Sequence, residues 1–228
     1  MGSSLPVRRL GRRPLDLRLY LVTDTRMCAR IGVAATVGAA VAGGVTVVQL
    51  RDPHASDAQF VALGRALKAV LAGTGVPLIV NDRVDLVAAI DADGAHVGQH
   101  DLDIRRARAR LGAAAYLGLS VQLPGHAHTA TGDVPHTIDY LGVGPVWETT
   151  SKPGAAPPGG LERWQAIISA SPWPCVAIGG ITPDRVGALR ASGVAGIAVI
   201  SAICGQPDVT AAARGLRAAW DPKPPPTP

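Results

Sequence analysis

Short, nearly continuous apolar runs recur along the chain at 17–24, 45–51, 76–82, 94–99, 115–120, 139–146, 174–180 and 196–201. Each run is strand-sized and lacks the polar alternation of a half-wet sheet, which predicts strands buried on both faces. Between most of them lie segments with helical spacing of apolar positions, such as Asp57–Leu71, Ile104–Leu111, 161–170 and 183–191, often introduced by Ser, Asp or Thr. Buried strands alternating with helices predict a parallel sheet. Eight such units in 228 residues fit an α/β fold of one closed (β/α)8 TIM barrel, with an open doubly wound sheet as the competing arrangement. The barrel is expected over 15–220, with a flexible basic tail at 1–14 and a Pro-rich tail at 221–228.

Composition narrows the function classes. Hydrophobic residues make up 47% of the chain but aromatics only 4%, which supplies a large aliphatic core and no aromatic recognition surface. The net charge of +5 is concentrated in Arg8, Arg9, Arg12 and Arg13 and in Arg105, Arg106, Arg108 and Arg110. The second group reads as a solvated helix face, and neither has base-reading residues interleaved, so no nucleic-acid partner is expected. The early arginine pairs suggest a twin-arginine signal, but the "LDLRLYLV" that follows is short, charged and lacks a cleavage site. With no apolar stretch of about 18 residues, no membrane partner is expected either. Cys28, Cys175 and Cys204 form no CxxC pair, which points to neither zinc nor a disulfide framework and to a reducing, cytoplasmic location.

In a (β/α)8 barrel the reactive groups gather at the carboxyl ends of the strands. Read together, those ends carry Asp24, Gln49 and Arg51, Asn81 and Asp82, His96, Gln99 and Asp101, Ser120, Gly179 and Gly180, and Ile200 and Ser201. Asp82 and Asp101 close adjacent units and offer two carboxylates to a hard cation such as Mg2+, although each alone also reads as a turn or N-cap residue. Glycines after the seventh strand and small residues after the eighth leave backbone N–H groups for a phosphate. The long loop "WETTSKPGAAPPGG" carries Lys152, which alone among Lys68, Lys152 and Lys223 is placed to meet an anion. His96 reads as a hydrogen-bonded structural residue. No Ser-His-Asp or Cys-His set occupies matched strand ends, and chemistry driven by a departing pyrophosphate needs no strong base.

In order, "VVQLR", "VNDRVDL", "DGAHVGQHDL", "GLS", "YLGVGPVWETTSKPG", "GGLE", "AIGGI" and "VISAI" resemble the thiamine phosphate synthase family over residues 17 to 205. The resemblance implies a transferase that joins 4-amino-2-methyl-5-(diphosphooxymethyl)pyrimidine to 4-methyl-5-(2-phosphoethyl)thiazole, or its carboxylated form, releasing pyrophosphate with Mg2+. By motif position it implies that Gln49, Arg51, Asn81, Ser120 and Lys152 hold the pyrimidine diphosphate, with Arg51, Ser120 and Lys152 catalytic. It places Asp82 and Asp101 on the metal, Thr149, Thr150 and Ser151 in the thiazole-binding stretch, and Gly180, Ile200 and Ser201 around the thiazole phosphate. Arg83 is expected to pair locally.

Two positions depart from the family pattern. Asp52 and Pro53 stand where an acid and a lysine usually follow "QLR", and His54 is the candidate substitute cation; Ser151 replaces the usual Thr. Three rival readings are a thiazole tautomerase, which needs neither "ND" nor the second aspartate, a silent phosphate-binding relative, and a Schiff-base aldolase, which needs a strand lysine. The substrates are small molecules in every case, and a homo-oligomer is left open.

Overall fold

The computed structural model describes residues 13–99, 101–123, 137–151 and 157–221. Its strands are β1 (Leu19–Val22), β2 (Val47–Leu50), β3 (Leu78–Asn81), β4 (Gly94–Val97), β5 (Tyr116–Val121), β6 (Tyr140–Val143), β7 (Cys175–Ile178) and β8 (Gly196–Val199). They pair in parallel in chain order, and β8 closes on β1. Closure rules out the open doubly wound sheet and establishes the TIM barrel.

Around the barrel lie α1 (Val33–Ala42), α2 (Asp57–Leu71), α3 (Val87–Ile90), α4 (Ile104–Leu111), α5 (Gly160–Ala170), α6 (Val186–Ala191) and α7 (Val209–Trp220). Helix α2 begins in a capping box: Ser56 Oγ accepts from the Gln59 N–H at 3.3 Å, and Gln59 Oε1 accepts from the Ser56 N–H at 2.9 Å. Asp103 and Asp208 cap α4 and α7 in the same sense.

Successive strand side chains face opposite sides of the sheet. Leu19, Leu21, Val48, Leu50, Leu78 and Val80 join the layer between barrel and helices. Leu17, Tyr20, Val22, Val47, Ile79, Tyr140, Val176 and Ala198 fill the barrel interior. The strands therefore read as unbroken apolar runs because both of their faces are buried.

The basic face expected on α4 is only partly solvated. Arg105 and Arg106 are exposed, and Arg110 pairs with Asp85. Arg108 folds back instead: Nη2 meets Asp139 Oδ2 at 2.9 Å, Nε donates to the Thr137 carbonyl at 2.8 Å, and Nη1 reaches the Gly112 and Ala115 carbonyls, each at 2.7 Å. Asp139 in turn accepts from the Leu117 N–H, so this guanidinium ties α4 to the start of β5 and β6. Both side chains of the pair are only 15% exposed. Arg108→Ala is therefore expected to lower stability by about 2–3 kcal/mol, because it strands a largely buried carboxylate; equal urea midpoints for variant and parent would refute the clamp.

Most of both expected tails, residues 1–12 and 222–228, lies outside the described residues. The Arg13 carbonyl accepts from the Tyr116 hydroxyl at 2.6 Å. No described helix is long and apolar enough to cross a membrane. Cys28, Cys175 and Cys204 are buried free thiols.

Candidate active site

At the carboxyl end of the barrel one cavity is lined by Gln49 in β2 and Arg51 just after it, Asn81 at the end of β3, His96 in β4 and Ser120 in β5. Thr149, Ser151, Gly180, Ile200 and Ser201 line its other side. Gln49, Arg51, Asn81, Gly180 and Ile200 continue the inward parity of Val47, Ile79, Val176 and Ala198 two residues at a time toward the rim. The same parity turns Asp82 out of the cavity lining.

Each wall is braced. Thr23 Oγ1 accepts from the Arg51 N–H at 3.0 Å, and Asp24 lies 3.9 Å from the Arg51 guanidinium with both side chains mostly enclosed. Gln99 Nε2 donates to the Ser120 carbonyl at 2.6 Å, joining the β4 exit to β5. Ser151 and Ser201 hydroxyls lie 3.1 Å apart, linking the loops after β6 and β8. The backbone N–H groups of Gly180 and Ser201 donate to no carbonyl among the described residues. Gly180 holds φ at +64°, and a Cβ there would lie 2.5 Å from the Glu148 carbonyl oxygen.

Polar groups that line the cavity are also linked to one another through the barrel interior. Gln49 Nε2 donates to the Tyr20 hydroxyl at 2.9 Å, and the Tyr20 and Tyr140 hydroxyls are 2.7 Å apart. His96 lies between Tyr140, 3.1 Å from Nδ1, and Ser120, 2.9 Å from Nε2. Gly118 pairs with His96 on one side and Tyr140 on the other. A Cβ there would fall 2.2 Å from the Tyr140 ring and 2.4 Å from His96 Nδ1, so the missing side chain is what lets the two rings meet. Burial raises the Tyr20 phenol against the opposing hydrogen bonds from Tyr140 and Gln49, and burial likewise holds Tyr140 well above its usual range. Both rings keep their protons.

Three expectations are adjusted. Thr150 lines a shallower outer groove with Trp147, Glu148, Pro157 and Pro158 rather than the main cavity. Asp82 and Asp101 do not line the cavity: both are anchored to the exit of β4, the Asp82 N–H on the His96 carbonyl at 2.9 Å and Asp101 Oδ2 on the Gly98 N–H at 2.7 Å. Arg83 pairs across units and not within its own loop, with Asp57 at 3.3 Å and the Ala55 carbonyl at 2.6 Å, over the Phe60 ring. Pro53 and His54 are exposed and absent from the cavity lining. Lys152 lies outside the described residues. The tyrosines are the residues that sequence reasoning missed. Their signal is a phenol inside an aliphatic strand, since a buried hydroxyl requires a partner.

The family model of thiamine monophosphate synthase matches residues 19–203, which includes every residue of this site. The chain belongs to the thiamine monophosphate synthase family. Similar members are the thiamine-phosphate synthase of Xanthobacter autotrophicus, 48% identical over 91% of this chain and 97% of its own, and that of Azorhizobium caulinodans, 47% identical over 90% and 95%. Among solved structures, the thiamine phosphate pyrophosphorylase of Pyrococcus furiosus superposes with a TM-score of 0.80 at 33% identity, covering 91% of this chain and 96% of that one. Members of the thiamine monophosphate synthase family therefore match this chain along nearly its whole barrel.

Proposed function

We propose that this transferase binds the aminopyrimidine diphosphate against Gln49, Arg51, Asn81 and Ser120, binds the thiazole phosphate against Thr149, Ser151, Gly180, Ile200 and Ser201, and joins them to thiamine phosphate with release of pyrophosphate. The observation that carries the reading is the convergence of both residue sets on one cavity. Lys152 would add a second cation for the diphosphate, and Thr150 would meet substrate at the cavity mouth.

The carbon–oxygen bond between the exocyclic methylene and the diphosphate breaks, and its electron pair leaves on oxygen. Arg51, pre-aimed by Thr23 and Asp24, faces that growing negative charge. The aminopyrimidine ring spreads the resulting positive charge, and the thiazole nitrogen donates its lone pair to form the new carbon–nitrogen bond. Val22, Val176, Ile178 and Ala198 supply apolar wall that keeps water from quenching the cation. Held in one cavity, the two rings react without a separate encounter.

Asp82 and Asp101 fit a magnesium ion by the chemistry of their donors: two hard carboxylates carried at the same strand exit, Asp82 anchored there by its backbone N–H and Asp101 by Oδ2, with a mostly enclosed Arg51 on the neighbouring wall to share a diphosphate. Among the described residues no group of three or more His, Cys, Asp or Glu forms a closed cage, consistent with an ion completed by water and phosphate oxygens. When bound it would supply charge neutralisation to the diphosphate. Asp82→Ala and Asp101→Ala are each expected to raise the magnesium concentration for half-maximal turnover by at least about ten-fold. Unchanged titrations in both would remove these residues from the metal.

The function is tested by mixing the protein with both substrates, with and without magnesium, and following pyrophosphate and thiamine phosphate. Stoichiometric, magnesium-dependent appearance of both supports the reading. Folded protein that binds the thiazole phosphate and forms no product would favour a tautomerase or silent binder.

A further inference from the structure

The five residues Gln49, Tyr20, Tyr140, His96 and Ser120 form a continuous hydrogen-bonded chain from β2 to β5. Each proton in it can be assigned once. An amide nitrogen only donates, so Tyr20 accepts from Gln49 and passes its own proton to Tyr140. Tyr140 then donates to His96 Nδ1. A neutral imidazole that accepts at Nδ1 carries its proton on Nε2, which donates to Ser120 Oγ. The Ser120 proton is left for the cavity that Ser120 lines. At the other end Gln49, with Nε2 committed to Tyr20, presents Oε1 to the same cavity; no buried side-chain nitrogen or oxygen among the described residues lacks a partner.

The chain has only one alternative sense. Rotating the Gln49 amide would reverse every bond, leaving Gln49 a donor and Ser120 an acceptor toward the cavity. Tyr20 and Tyr140 are each 1% exposed, Gln49 5% and His96 8%, so the hydrogen bonds of the chain lie in surroundings of low dielectric that strengthen each of them. The donor pattern at one wall is therefore locked to that at the other.

We propose that this chain is a specificity device: by holding His96 in the Nε2–H form it fixes Gln49 as acceptor and Ser120 as donor, and so selects a 4-aminopyrimidine over its 4-oxo counterpart. The amino group offers a donor to Gln49 Oε1, and a ring nitrogen accepts from Ser120. The 4-oxo ring sets a carbonyl oxygen in place of that donor and a proton on a ring nitrogen, so acceptor would face acceptor. Tyr20, Tyr140 and His96 are positioning residues that act through Gln49 and Ser120. The inference rests on the pyrimidine-binding reading of this wall.

The test compares kcat/KM for the 4-amino and 4-oxo pyrimidine diphosphates in the parent, Tyr20→Phe and Tyr140→Phe proteins, each coupled to the same thiazole phosphate. Each substitution is expected to shrink the amino-to-oxo preference by about ten-fold or more, the scale of one buried hydrogen bond. A merely structural loss would slow both substrates alike, and an unchanged ratio would overturn the proposal. Because a variant can fail to fold, nitrogen NMR of the histidine side chains in the parent gives a second reading, with His96 assigned by its absence in His96→Gln. Protonation on Nε2 supports the relay and protonation on Nδ1 refutes it. A parent protein that turns over neither pyrimidine would sink the cavity reading itself, and the relay with it.

Discussion

Arg51→Ala is expected to lower turnover by about two to three orders of magnitude, the scale set when a preorganised charge partner is removed from developing negative charge. The size follows from placement. Arg51 stands two residues beyond Gln49 on the inward parity of β2, its side chain is only 14% exposed, and Asp24 and Thr23 hold it in place. The exposed Pro53 and His54 give no replacement at the cavity wall. Arg51→Lys should recover only part of the loss, since an ammonium lacks the guanidinium fork that meets two phosphate oxygens. Steady-state kinetics with saturating thiazole phosphate decide the matter. A variant with parental kcat would remove Arg51 from the charge-bearing role and pass it to Lys152 or the metal alone.

Gly180→Ala is expected to raise KM for the thiazole phosphate by about two orders of magnitude while leaving KM for the pyrimidine diphosphate within about two-fold, as appropriate to contacts on opposite walls. Two penalties coincide there. The residue holds a left-handed backbone, φ +64°, which costs an L-side chain about 1 kcal/mol. The new methyl would also lie 2.5 Å from the Glu148 carbonyl oxygen and 2.8 Å from Trp147 Cβ, so the loop after β6 must move. That loop carries Thr149 and Ser151, and Arg185 ties Gly180 to it by donating to the Gly180 carbonyl at 2.6 Å while lying over the Trp147 ring. Equal increases in both KM values would mean that the glycine supports the whole rim and not a phosphate subsite.

Arg51 and Gly180 are legible as strand-end chemistry from the amino-acid sequence, and so are Gln49, Asn81, Ser120, Ile200 and Ser201. A parallel barrel reads its own exits, because the last inward residues of each strand have nowhere to point except the rim. Asp82 shows the limit of that rule. One residue beyond Asn81 its backbone turns to φ +60° and its N–H bonds to the β4 carbonyl of His96, so adjacency along the chain does not mean a shared wall. Arg83, next along, reaches back to the start of α2 instead of closing its own turn.

The eight buried strands, their alternation with helices and the order of the motifs follow from the amino-acid sequence, because they depend on burial and spacing within each segment. The same holds for which polar residue types stand at each exit. The meeting of Tyr20, Tyr140 and His96 belongs to the folded chain: β1, β6 and β4 are brought around one interior by closure and register, and Gly118 clears the space between the two rings. Tertiary packing likewise makes Arg108 a clamp while Arg105 and Arg106 stay in water. The physical reason is common to both cases. Periodicity reports which face of its own element a residue occupies, whereas the partner of a buried polar group is set by which distant strand the closed sheet places opposite it.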